Sequence, residues 1–156
     1  MARFTSKTAK LALLGIFLAV VPCTWVLAGG GNKPIATDSF GVAIKGYDTV
    51  AYFTEGRAVK GNKEFEFMWH DAKWRFASAA HRDMFSATPG RYVPQFGGFC
   101  SMGIARDLTV AADPEVWKVV DGKLYLSYSK SSRDRFHKNL ATNLKKAEEN
   151  WAKMSD

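Results

Sequence analysis

Aromatic side chains alternate with Glu, Glu and Met along residues 64–69, and this is a clear strand pattern. In a strand of this kind the three aromatic side chains fall on one face and their neighbours on the other. Residues 70–73 have the composition of a turn, and residues 74–76 return with two further aromatic side chains. The pattern predicts a hairpin with one buried aromatic face.

A second hairpin is predicted later in the chain. Residues 116–120 and 123–128 flank Asp121-Gly122, and Asp-Gly between two apolar runs is a strong signal for a two-residue turn. Val42 and Ile44 alternate with small or polar neighbours, which predicts one further short strand.

Capping residues and apolar spacing predict a helix that begins after Ser78 and ends near Ala87. Its apolar face is expected to consist of Ala80, Met84 and Phe85. A shorter helical turn is predicted ahead of the first hairpin, with Asp48 as its cap.

The last helix is predicted over residues 132–152. Apolar side chains there recur at three- and four-residue steps: Phe136, Leu140, Leu144, Ala147 and Trp151. They form one stripe that is expected to cover an open face of the sheet. The predicted class is α+β, a small antiparallel sheet of short hairpins with two or three helices packed on it.

The first 28 residues have the composition of a secretion signal. Basic side chains come first, residues 11–21 are apolar apart from one Gly, and Pro22 then breaks the helix. Residues 26–28 (Val-Leu-Ala) have the small-residue form of a signal-peptidase site, so cleavage is predicted after Ala28. The alternatives are lipidation at Cys23 and an uncut anchor, because the apolar stretch just reaches the ~18 residues that can span a bilayer.

Residues 29–39 include three consecutive glycines and Pro34, and they are predicted to form a flexible linker. The folded domain is then predicted over residues 40–152. An exported chain of this kind is expected in the periplasm or outside the cell, with no membrane span after cleavage.

The charge pattern excludes one class of partner. Of the 22 basic side chains, the predicted signal holds three, which leaves 19 against 15 acidic ones and a net charge of +4. These charges are scattered, with no run of five or six, so nucleic-acid binding is not indicated. A metal ion or a small ligand is the expected partner.

The cysteine count directs attention to Cys100. Cleavage removes Cys23, which leaves one thiol in an exported protein and no intramolecular disulfide. Such a thiol is buried, metal-bound, catalytic or used to link two chains. His81 lies upstream on a predicted helix, and a thiol and an imidazole brought together can bind a soft metal ion or do nucleophilic chemistry.

His70 is interpreted as a turn residue and His137 as a solvated helix residue.

Residues 76–92 read Phe-x-Ser-x-x-His-x-x-x-Phe-x-x-x-Pro-x-x-Tyr. This order resembles the YHS domain, a short module associated with the handling of heavy metals, chiefly copper. Residues 45–53 (KGYDTVAYF) and 95–100 (QFGGFC) resemble its longer, exported bacterial members, and the resemblance covers residues 42–151. In the better-known versions two cysteines stand where this chain has Ala77 and His81. The resemblance implies a metal site in which His81 and Cys100 take their place.

Two methionines extend this site. If the segment after Cys100 is extended, Met102 points to the same side. On a helix, Met84 shares a face with His81, three residues before it. Thiolate and imidazole suit Cu(I) or Zn(II), and a thioether adds a preference for Cu(I). The predicted ligands are therefore His81, Met84, Cys100 and Met102, and the predicted cofactor is a copper or zinc ion.

Each of these residues also has a simpler interpretation. Met84 can fill the core, Cys100 can be a small buried hydrophobe, and His81 can be bonded to a backbone carbonyl. Gly97-Gly98 can reflect a tight turn or close backbone packing. The alternative function is then a non-catalytic structural or ligand-binding module with a buried cysteine.

A thiol enzyme is the third hypothesis. Cys100 would be its nucleophile, His81 its base, and Asp48 or Asp71 the group that orients the imidazole. Main-chain N–H groups near Gly98 would form an anion hole. One Cys and one His give this hypothesis little specificity, and the resemblance offers no known reaction, so a non-enzymatic function is preferred.

Overall fold

The computed structural model describes residues 33–154, so the predicted signal, Cys23 and the first part of the predicted linker lie outside the described part. Within it, hairpins and helices follow one another in an α+β arrangement, as the sequence predicts. The elements are α1 (Ala51–Thr54), β1 (Asn62–Trp69), β2 (Ala72–Phe76), α2 (Ala79–Ala87), α3 (Pro89–Tyr92), α4 (Ser101–Ile104), β3 (Asp113–Val120), β4 (Lys123–Ser127), α5 (Lys130–Lys138) and α6 (Leu140–Lys153).

The first predicted hairpin is confirmed as the antiparallel pair β1–β2. Its turn is shorter than predicted, because Trp69 already pairs with Ala72 and only His70 and Asp71 remain between the strands. Both turn residues have positive φ, 48° and 57°, which is the mirror-image turn that matches the twist of a hairpin. The aromatic face of β2 is buried, while the aromatic side chains of β1 are half-buried.

The second predicted hairpin is also confirmed, with Asp121 and Gly122 forming the turn between β3 and β4. Their φ values of 49° and 70° again place both in the left-handed region. Each hairpin forms its own two-stranded antiparallel sheet in the described part of the chain. The two sheets meet through buried side chains, among them Trp74 and Leu126, rather than through backbone hydrogen bonds.

Helix α2 has the predicted bounds and the predicted cap. The Ser78 hydroxyl accepts a hydrogen bond from the backbone N–H of His81 at 3.2 Å. Only Phe85 is buried on this helix, and its ring packs against Trp74. Ala80 and Met84 are exposed, so the predicted three-residue apolar face is wrong. Phe85 is the one large side chain that this nine-residue helix buries, because its other faces meet solvent.

Part of the predicted linker packs on the domain. The N–H of Ala36 donates to the carbonyl of Gly97 at 2.8 Å, and Thr37 forms an isolated bridge with Ala43. The side chain of Lys33 donates to carbonyl groups at the end of α6. Ordered contacts thus begin before residue 40, the predicted start of the domain.

The predicted strand at Val42 and Ile44 is replaced by single bridges. Val42 bridges Lys73, and Ile44 then begins a 3-10 turn that ends at Gly46. The φ of Ile44 is 40°, which is outside the extended region, so a strand cannot continue through it.

Gly97 and Gly98 mark a close approach of backbone segments, which confirms the packing interpretation. Both have positive φ, 60° and 88°. A Cβ atom at Gly97 would collide with the carbonyl oxygen of Pro34, and one at Gly98 would lie 2.7 Å from the side chain of Ile44. Only glycine allows both the conformation and the contact.

The predicted C-terminal helix is two helices, α5 and α6, which meet at Asn139. Asn139 has φ −128° and ψ 54°, and the amide of Asn143 donates to the carbonyl groups of Arg135 and Phe136, both at 3.0 Å. These bonds satisfy the end of α5 and so stabilise the break. The predicted stripe is still confirmed, because Phe136 and Ala147 are buried and its other members are half-buried. Among residues 33–154 we find no helix long and apolar enough to cross a membrane.

Candidate functional site

Asp48 is the most heavily bonded side chain near the predicted site. It is fully buried, and its Oδ1 accepts from the N–H groups of Val50 and Ala51 at 2.9 and 3.3 Å. Its Oδ2 accepts from the N–H of Ala77 at 2.8 Å and from Nδ1 of His81 at 2.6 Å. The predicted cap on the first helical turn is thus confirmed. The same carboxylate also joins the end of β2 to α2.

Nε2 of His81 lies 3.4 Å from the hydroxyl of Thr54. The same hydroxyl lies 3.1 Å from the carbonyl oxygen of Val50, so its single proton can be donated to that carbonyl or to the imidazole. Both ring nitrogens therefore have partners in α1 and in the segment before it. A metal ion at Nε2 would have to displace the contact with Thr54.

The segment from 45 to 53, which carries part of the resemblance, is joined to β3 by hydrogen bonds from two tyrosine hydroxyls. The hydroxyl of Tyr52 donates to the carbonyl of Pro114 at 2.8 Å, and that of Tyr47 donates to the carboxylate of Glu115 at 2.8 Å. Burial raises the pKa of Tyr52 well above its ordinary value, so the phenol stays protonated. These residues position α1 and Asp48.

Cys100 lies at a different place, immediately before α4. It is 2% exposed, its N–H donates to the carbonyl of Val110 at 2.9 Å, and its carbonyl accepts from Ile104. The chain turns into a helix after Cys100 instead of remaining extended, so the predicted reason for pairing it with Met102 is wrong. The two residues nevertheless line one cavity.

This cavity has a volume of about 150 Å³, and we call it the Cys100 cavity. Its lining residues come from α4, from the loop after α4, and from the region where β4 leads into α5. They include Cys100, Met102, Arg106, Leu108, Val110, Tyr128, Ser132 and Arg135. The set combines two sulfur-bearing residues and two apolar ones with two arginines and two hydroxyl-bearing residues.

His81 and Met84 are not among the residues that line the Cys100 cavity. Met84 is 37% exposed on α2, and the side-chain contacts of His81 are with Asp48 and Thr54. The four predicted ligands therefore occur as one pair in the cavity and two residues of α2 outside it. No group of three or more His, Cys, Asp or Glu residues within residues 33–154 is placed to hold a metal ion.

The structure shows only one of the contacts that the thiol-enzyme hypothesis requires. Asp48 does orient His81, as that hypothesis requires. Two of the amides next to Gly98 are not available for the proposed anion hole, because the N–H of Phe99 donates to Phe96 and the N–H of Cys100 donates to Val110. Neither amide is free to stabilise an oxyanion.

The other two histidines differ from each other. His70 is confirmed as a turn residue, with its ring against Trp69. His137 is half-buried rather than solvated, and both of its ring nitrogens are buried without a hydrogen-bond partner among the described residues. Burial lowers the pKa of His137 below its ordinary value, and the nearby charges of Lys118 and Arg133 lower it further.

Arg106, Arg135 and Tyr128 are the site residues that sequence reasoning missed. Arg106 follows α4 and Arg135 lies on α5, so no short motif contains both. Their common cavity arises only when α5 packs beside α4. We find no match to this chain among protein-family models, curated proteins or solved structures.

Proposed function

We propose that this protein binds a soft metal ion, Cu(I), in the Cys100 cavity. The observation that supports the proposal is that Cys100 and Met102 line the same cavity. A thiolate and a thioether are the soft ligands that favour Cu(I). The resemblance of residues 76–100 to the YHS domain, a module associated with copper, favours the same ion.

Copper fits this ligand set better than zinc. Protein sites for Zn(II) use four ligands when structural and at least three when catalytic, drawn from Cys, His and carboxylates. Among the residues that line the Cys100 cavity only Cys100 belongs to that group. Cu(I) accepts sulfur from both Cys and Met. We therefore propose a sulfur site of Cys100 and Met102, and we assign His81 and Met84 no role in coordination.

Export of the chain, which we propose from residues 1–28, would expose the thiol of Cys100 to an oxidising compartment. A free thiol in an oxidising compartment is consumed unless it is buried or bound. Cys100 is buried, and coordination would protect it further.

The test is a titration of purified protein with Cu(I) in oxygen-free buffer, in competition with a chromophoric Cu(I) chelator. We expect one Cu(I) per chain, no binding by Cys100→Ser, and about tenfold weaker binding by Met102→Leu. Met84→Leu is the matched control, because it removes a thioether outside the cavity, and its affinity should equal that of the wild type. Undiminished copper binding by Cys100→Ser would overturn the proposal. Met102→Leu conserves volume at a half-buried position, so it keeps the test valid if the cysteine variant does not fold.

A purely structural thiol is the second candidate, and the 2% exposure of Cys100 favours it. In that case the titration finds no copper, and a small alkylating reagent modifies Cys100 only after the protein is unfolded. Both results together would replace the metal-binding proposal with a structural one.

A further inference from the structure

Arg106 and Arg135 differ from the other arginines among residues 33–154. Four of the seven arginines in this range form ion pairs with carboxylates, and Arg91 lies over the ring of Tyr92. The guanidinium groups of Arg106 and Arg135 have no such partner among the described residues. Both line the Cys100 cavity. Two unpaired cations beside one cavity favour the binding of an anion there.

The proposed copper site does not balance these two charges. Cu(I) bound by the thiolate of Cys100 and the thioether of Met102 is neutral, because the thioether carries no charge. Two protein ligands also leave the ion open to a third ligand from solution. A carboxylate alone is a poor third ligand, because its hard oxygen does not suit Cu(I), whereas a thiolate does.

We propose that the Cys100 cavity binds Cu(I) together with a small thiol that carries a carboxylate. This inference rests on the proposed copper site. The thiolate of the small molecule coordinates Cu(I), and its carboxylate pairs with Arg106 and Arg135. The thiols of Cys100 and of the ligand each release one proton to solvent when their sulfur binds the metal. Copper with two thiolates and one carboxylate carries two negative charges, which the two guanidinium groups balance.

The walls of the cavity limit the ligand further. The cavity opens to solvent beside Leu108 and Tyr128, which are 55% and 63% exposed. Leu108 and Val110 provide apolar surface, which suits the methylene groups between the sulfur and the carboxylate. The hydroxyls of Tyr128 and Ser132 belong to the same cavity lining and can donate to the carboxylate. A short mercapto acid has all of these properties.

The experiment measures the Cu(I) affinity of the protein in the presence of three thiols of similar size. They are 3-mercaptopropionate, which carries a carboxylate, 2-mercaptoethanol, which is neutral, and cysteamine, which carries an ammonium group. We expect 3-mercaptopropionate to raise the affinity about tenfold relative to 2-mercaptoethanol, and cysteamine to have no such effect. The Arg106→Ala/Arg135→Ala variant should lose this preference.

The matched control is Arg57→Ala/Arg91→Ala, which removes the same charge from residues outside the cavity and should retain the preference. Each thiol also binds Cu(I) in solution, but to the same extent with every variant. This effect therefore cancels when the variants are compared. Copper binding without any preference for the carboxylate, or a preference that persists in Arg106→Ala/Arg135→Ala, would overturn this inference and leave the copper site intact. Absence of copper binding by the wild type would overturn both.

Discussion

Nδ1 of His81 donates to the carboxylate of Asp48 across 2.6 Å, and Asp48 is fully buried. The two residues are 33 positions apart in the chain. The carboxylate also accepts three backbone N–H groups, so this contact joins α1, the end of β2 and α2. It gives the imidazole a structural role that copper binding does not require.

Removal of the buried carboxylate is expected to destabilise the fold strongly. Asp48→Ala leaves three backbone donors and the His81 imidazole without their acceptor, which should lower the free energy of unfolding by about 3–5 kcal/mol. Urea denaturation followed by circular dichroism measures this change. Asp83→Ala is the control, because Asp83 is mostly exposed beside Arg82 and its loss should cost no more than about 0.5 kcal/mol. A decrease in the free energy of unfolding below ~1 kcal/mol for Asp48→Ala would show that this contact does not stabilise the fold.

Replacement of the imidazole separates a structural role from a ligand role. His81→Ala should lower the free energy of unfolding by about 3 kcal/mol, because it leaves the buried Asp48 carboxylate without its side-chain partner. The Cu(I) affinity of the folded variant should match that of the wild type, measured by chelator competition at low temperature. A copper affinity that falls in His81→Ala while the folded fraction is unchanged would return His81 to the ligand set.

Gly97 is expected to tolerate no side chain. Gly97→Ala would combine a positive φ with a collision against Pro34, and we expect a loss of about 2–5 kcal/mol. Gly56→Ala is a matched control, because Gly56 has a similar φ of 65° and a Cβ atom there would have no neighbour within 4 Å. It should lose only the conformational cost of about 1–2 kcal/mol. Equal melting temperatures for the two variants would contradict the close packing of residues 34 and 97.

His137 should make the fold less stable in mild acid. Its unfolded-state pKa is near 6.5, and its folded-state pKa is lower because burial and two neighbouring cations disfavour the charged ring. Between these two values the unfolded chain binds more protons, so the free energy of unfolding falls as the pH drops below 6.5. Its contribution is fully present above that pH.

The test compares urea denaturation of the wild type and His137→Phe at pH 7.5 and 5.5. Phenylalanine retains a ring that can pack against Tyr125 and Phe136 but cannot be protonated. We expect a smaller loss of stability on acidification in the variant. The same loss in both proteins would mean that His137 does not contribute to the pH dependence.

Local signals explain which parts of the fold were predictable. The turn at Asp121-Gly122, the cap at Ser78 and the apolar stripe of the last helices each depend on residues within a few positions of one another, and each is confirmed. The break at Asn139 was missed because the apolar spacing continues through it, while the bonds that stabilise it come from Asn143 in the next helix. The exposure of Met84 was missed because periodicity does not show how much of a helix face the rest of the fold covers.

The sequence by itself determined the α+β class, both hairpins, the capped helix and the identity of the sulfur-bearing residues, since these follow from short-range spacing and side-chain chemistry. Only the tertiary structure decided their partners. It placed His81 against Asp48 instead of a thiol, and it brought two unpaired guanidinium groups to the cavity of Cys100. The physical reason is that such contacts depend on how separate elements pack, and packing brings together residues whose distance along the chain carries no signal.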